Sequence, residues 1–216
     1  RLAGKFPCDH DRHATTLAET AIRGGDRDAM MLDLNKWGVE FATANMSAIG
    51  RTGAKGFDEA LGFGSDALVF IEKTAGCTPK SIMAMASDPE KIMALSAYDS
   101  EATQFSMGAY RTLVNLAAEG RDAPAIDTTP TPEDERALQS VFFSIMMDER
   151  VMKLAQAASA GDASAASLES TLDICELGET VIGKLRRLPP DTKARIWAMG
   201  AAEAVKSLRS LPLAGT

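Results

Sequence analysis

DRDAMMLDLNKWGVEFATANMSA, residues 26–48, decides the fold class. Its apolar residues Met30, Leu34, Trp37, Phe41, Ala44 and Ala48 recur at intervals of 4, 3, 4, 3 and 4. That spacing traces one face of an α-helix and does not fit the two-residue alternation of a strand. The same rhythm returns along the chain. Over 191–211, Trp197, Ala201, Ala204, Leu208 and Leu211 run 4, 3, 4, 3, and over 132–160 Leu138, Val141, Phe142, Ile145, Met146 and Met152 share one broad face. Residues 163–188 carry two adjoining stripes, Leu168, Leu172, Cys175, Ile182, Leu185 and Ile174, Leu177, Val181, Leu185, Leu188. So wide an apolar surface is expected of a helix covered on more than one side. Residues 13–23, 57–75 and 89–119 complete the helical series, the last with a bend expected near Ser100 or Gly108.

The punctuation agrees. Thr78-Pro79, Asp88-Pro89-Glu90 and Thr131-Pro132-Glu133-Asp134 each set a capping oxygen before a proline that needs no backbone donor in a first helical turn. Gly24-Gly25, Gly50, Gly76, Gly120 and Gly161 fall where helices can close. No stretch alternates like a strand, and no period of 20–50 residues marks a solenoid. The expectation is an all-α, multi-helix bundle of about six to eight amphipathic helices with no significant sheet, forming a single domain over 1–216. The segment Gly120–Thr131, with Pro124 and Pro130, reads as a surface crossover. The alternative is a subdivision into 1–120 and 131–216 joined by a linker at 121–130.

Composition narrows the function classes. Hydrophobic residues make up 45% and charged residues 25%, so a packed core is expected rather than a disordered chain. The longest apolar runs, Ala67–Ile71 and Val141–Met147, fall far short of the roughly 20 residues that cross a bilayer. The net charge of −7 argues against nucleic acid as a partner. Charge is unevenly placed, however. From Lys184 onward Lys184, Arg186, Arg187, Lys193, Arg195, Lys206 and Arg209 face only Asp191 and Glu203. This basic end either lies on the acidic remainder or offers a face to an acidic partner. The chain starts at Arg1, which is expected either of a trimmed chain or of an exported or organellar protein that has lost a targeting segment. The compartment stays open.

Chemistry is sparse. Cys8-Asp9-His10-Asp11-Arg12-His13 gathers both histidines and one of three cysteines. Cys8, His10 and His13 are the candidate metal ligands, with Asp9 or Asp11 to orient a ring, although a closed structural zinc site needs a fourth ligand. In an oxidising compartment Cys8 and Cys77 can pair, while Cys175 reads as a small buried hydrophobe. Met83, Met85, Met93 and Met107 stand among Ile82, Ile92 and Leu95 and read as core filling rather than as a copper site. Gly62-Phe63-Gly64-Ser65-Asp66-Ala67 copies a dinucleotide fingerprint by letter, but the residues before it read as helix where the mechanism needs a strand. Glu-x-x-His, Cys-x-x-Cys, His-Glu-x-x-His, Gly-x-Ser-x-Gly and a phosphate-binding loop are missing from the sequence.

These observations lean away from catalysis and leave any cofactor unassigned. They point to a non-catalytic helical interaction protein, an accessory or scaffold subunit of a larger assembly with protein partners. The apolar surface of 163–188 and the basic 184–209 region are its expected surfaces. A second reading is a helical carrier of an apolar cofactor, pigment or lipid, held in a cavity lined by helical glycines and flexible Met and Phe side chains. A third, metal binding at the front cluster, rests on three ligands.

Overall fold

The computed structural model describes residues 6–22, 24, 27–88, 101–160 and 171–210; within its helices the side chains of 12, 13, 17, 21, 27–32, 34, 35, 154, 157–160 and 205–210 are excepted. The described chain is all-α, with nine helices and no strand. They are α1 (Pro7–Ile22), α2 (Arg27–Gly50), α3 (Gly53–Thr74), α4 (Pro79–Ala86), α5 (Glu101–Gly120), α6 (Pro132–Met146), α7 (Glu149–Ala160), α8 (Ile174–Leu185) and α9 (Pro190–Ser210). Two of the proline-marked starts are built as the sequence implies. The Thr78 hydroxyl accepts from Ser81 N–H at 3.1 Å while Ser81 Oγ accepts from Thr78 N–H, and Thr131 and Asp134 exchange the same reciprocal bonds. The helix expected from Pro89 lies outside the described residues as far as 100, as do Met93 and the segment 161–170.

Three expectations change in detail, the first being the helix over 163–188, which Leu172 and Asp173 interrupt before α8 starts at Ile174. α1 begins at Pro7 rather than near 13, so the Cys8–His13 cluster is itself helical. The apolar run 132–160 is two helices rather than one. α6 closes with Met147 N–H bonded to Phe143 O, and Asp148 then caps α7 by accepting from Arg150 N–H at 3.1 Å.

The helices divide between two compact units that interleave along the chain. The first comprises Arg1–Gly56, Tyr110–Thr128 and Ala194–Thr216, and the second Phe57–Ala109 and Thr129–Lys193. A division into 1–120 and 131–216 therefore does not describe them. Most of the proline-bearing stretch, up to Thr128, belongs with the first unit.

The first unit is centred on Phe6, Trp37, Phe41 and Ile49 with Val114, Leu116 and Ala117 of α5. Phe6 meets Phe41 edge-on at 5.1 Å between centroids, and the Arg121 guanidinium lies 4.1 Å over the Phe6 ring. Trp197 donates its indole N–H to Ile49 O at 2.8 Å, tying α9 to the end of α2. Gly120 lets α5 end against Ala48; a Cβ there would stand 1.7 Å from the Ala48 carbonyl oxygen.

In the second unit Phe105 stacks on Phe63 and Phe70 of α3, at 4.6 and 5.2 Å. Gly178 of α8 admits Leu68, whose Cδ1 would lie 2.6 Å from an added Cβ. Gly62-Phe63-Gly64 sits inside α3, so the fingerprint-like letters have a helix before them and no strand.

A disulfide joins Cys77 to Cys175, with Cα atoms 5.4 Å apart, and Cys8 is free and exposed. This corrects the pairing of Cys8 with Cys77. The reason lies in the α8 start: Ile174 N–H donates to Cys77 O at 2.9 Å, which brings the next residue, Cys175, beside Cys77, and a sulfur forms only one such bond. Cys175 is buried as expected of an apolar face, but it is oxidised rather than a free hydrophobe.

Candidate functional site

The second unit carries the most distinctive surface, and α6 forms it. On one side of α6, Leu138, Phe142, Phe143, Met146 and Met147 are exposed; Phe142 and Phe143 keep 64% and 65% of their surface in solvent. Met152 of α7 is exposed too. On the opposite side of the same helix, Ser140, Val141 and Ser144 face a cleft of about 350 Å³, whose other wall is Lys184, Arg187 and Leu188. α6 thus turns its small side chains towards α8 and its large ones outward. A contiguous patch of large apolar side chains on a folded surface marks a contact site more often than it marks nothing.

Between α7 and α8 lies a charge clamp. Arg150 grips Asp148 with two parallel bonds of 2.9 Å, reaches Glu176 at 2.7 Å, and donates to Thr180 Oγ1 at 2.8 Å. The Arg150 side-chain hydrogen bonds hold the Asp148 carboxyl down at about 2, helped by the nearby Lys184 charge. The Asp148 bond in turn raises the guanidinium above its ordinary value. Asp148 is therefore ionised at neutral pH and held in a fork, which suits it to bracing helices and not to giving up a proton near neutrality.

The residues singled out from sequence are placed as follows. Cys8 and His10 are two positions apart on α1, which turns them to different sides of the helix, and His10 Nδ1 lies 3.2 Å from Asp11 Oδ1. The side chain of His13, the third candidate ligand, lies outside the described residues. Among the described residues the one group with ligand-like convergence is Cys77, Asp173 and Cys175, and its two sulfurs are bonded to each other.

The described basic side chains of the second unit are engaged in different ways. Lys193 is buried and paired with Asp58 at 2.8 Å, so its charge is answered inside the second unit. Arg186 donates to Ser65 Oγ at 3.2 Å, whereas Lys184 and Arg187 line the cleft. Arg195 belongs to the first unit, and the side chains of Lys206 and Arg209 lie outside the described residues. Met83, read as core filling, is 65% exposed on α4, a helix that buries none of its residues.

No protein-family model, characterised protein or solved structure matches the chain. Among the described residues no helix is long and apolar enough to cross a membrane.

Proposed function

We propose that this chain is a non-catalytic interaction protein, an accessory or scaffold subunit that works by contact within a larger assembly. One observation carries the reading: the outward apolar face of α6, Leu138, Phe142, Phe143, Met146 and Met147, continued by Met152 on α7. Positions 138, 142 and 146 repeat every four residues, the register in which one helix lays its side chains against another. Phe and Met are suited to such a surface because the thioether chain adapts its shape and the ring brings a large area. Glu135 of α6 and the paired Glu149 and Lys153 of α7 are exposed charges on the same two helices. The partner that fits is a protein offering an apolar helical face of its own.

The test combines stability with contact. The double variant Phe142→Glu, Met146→Glu keeps its unfolding free energy in urea within about 0.5 kcal/mol of the parent, because both side chains already meet solvent. A photo-crosslinking residue at position 143, used in extract from the source of the protein, gives one discrete adduct that the double variant abolishes. An unaltered adduct in the double variant overturns the reading. So does loss of folding, since it means the face is covered by the chain itself.

A further inference from the structure

We infer that the cleft between α6 and the end of α8 is a binding site for a small amphiphilic anion, a medium-chain carboxylate. The cleft holds about 350 Å³, at the small end of the roughly 300–1,000 Å³ of ligand pockets. That volume suits one short chain and is too small for a haem or a large pigment.

The lining is divided by chemistry. Val141 and Leu188 supply apolar wall, Leu188 being buried itself. Lys184 and Arg187 supply two positive charges, and Ser140 a hydroxyl. Lys184 stands in the last turn of α8, where a cation meets the negative end of the helix, and one of its ammonium hydrogens is bonded to Ser144 O. An ammonium has three hydrogens, so two remain for a ligand. Arg187, just past the helix, is exposed, and among the described residues it has no carboxylate partner. Its planar fork is matched to the two oxygens of a carboxylate. Ser144 offers less, because its hydroxyl already donates to Val141 O at 2.7 Å. A carboxylate head between Lys184 and Arg187, with its chain along Val141 and Leu188, uses both halves of the lining. An inorganic anion uses only the charges, and an alkane only the wall.

Titration calorimetry with decanoate below its micellar concentration tests this. The expected result is saturable one-to-one binding, about tenfold or more tighter than decanol, which lacks the charge, and than acetate, which lacks the chain. Arg187→Glu weakens decanoate at least tenfold and leaves the circular dichroism unchanged; if that variant loses structure, Arg187→Gln serves with the same expected direction. Mixed phosphatidylcholine and phosphatidylglycerol vesicles separate a free amphiphile from a lipid surface, and no co-sedimentation with them is expected. Decanoate no tighter than decanol overturns the inference, as does binding that a folded Arg187 variant leaves unchanged. Vesicle binding that decanoate does not compete away overturns it as well. None of these readouts touches the outward face of α6, so the partner reading stands or falls separately.

Discussion

Asp148 shows how much a single carboxylate owes to its neighbours. Read along the chain it is one of a pair, Asp148-Glu149, that looks like an ordinary solvated helix face. In the structure the two part ways. Asp148 caps α7 and is forked by Arg150, while Glu149 is lowered mainly by a side-chain bond to Lys153 one turn on. No spacing rule separates them, because Arg150 takes its orientation from Glu176 and Thr180, about thirty positions away. The consequence is a pH dependence with a definite sign. The Asp148 carboxyl sits at about 2 in the fold against an ordinary value near 4 in an unfolded chain, so the unfolded state takes up the proton first as pH falls. Its stabilising contribution is complete above the unfolded value and is lost between about pH 4 and pH 2. Asp148→Asn should therefore melt below the parent at pH 6, and the gap should close as both approach pH 2. A gap of constant size across that range would show that the carboxylate charge is not what braces α7 to α8.

At the scale of the element, α6 was half legible. Its start was plain, since Thr131, Pro132 and Asp134 spell a capped N-terminus, and the hydrogen bonds are the ones those residues imply. Its orientation was not. Period 3.6 locates a stripe but does not say what it faces, and the rule that large apolar side chains turn inward fails here. Ser140, Val141 and Ser144 face the cleft while Phe142, Phe143 and Met146 face water. The start of α6 also reaches further than a cap. Asp134 is buried and accepts from Thr192 Oγ1 at 2.6 Å as well as from Thr131 N–H, so one carboxylate fastens the first turns of α6 and α9. Asp134→Ala should cost about 2–3 kcal/mol, the sum of a lost cap and stranded buried donors. Thr192→Val should cost about 1 kcal/mol, for one bond. Urea unfolding measures both. In the double variant the two costs should not add, because removing Asp134 already removes the bond that Thr192 donates. Full additivity would break the link between them.

At the scale of the molecule, the all-α reading followed from periodicity alone, but the grouping of helices did not. Interleaved units leave no linker signature when α3, α5 and α9 each lend residues to both. The two units are also unequally provided. Buried apolar residues of the first include Phe6, Trp37, Phe41, Ile49, Val114, Leu116 and Ala117; those of the second are Phe57, Cys175, Ile182 and Leu188 among the described residues. The second unit, with the thinner core and the outward α6 face, is the one that holds the disulfide. Cys77 and Cys175 are 98 positions apart, and a cross-link closing a loop near 100 residues stabilises by roughly 4–5 kcal/mol in the chain-entropy account. Reduction should therefore weaken the second unit selectively, and the chain contains its own reporter for this. Both tryptophans, Trp37 and Trp197, lie in the first unit, so indole fluorescence follows that unit, whereas far-ultraviolet dichroism follows every helix. In the oxidised protein one thiol, Cys8, should react with a thiol reagent without unfolding. With reductant present, much of the dichroism should be lost at a urea concentration where tryptophan emission is still native. If the two signals fall together at an unshifted midpoint, the bond between Cys77 and Cys175 is not what holds the second unit.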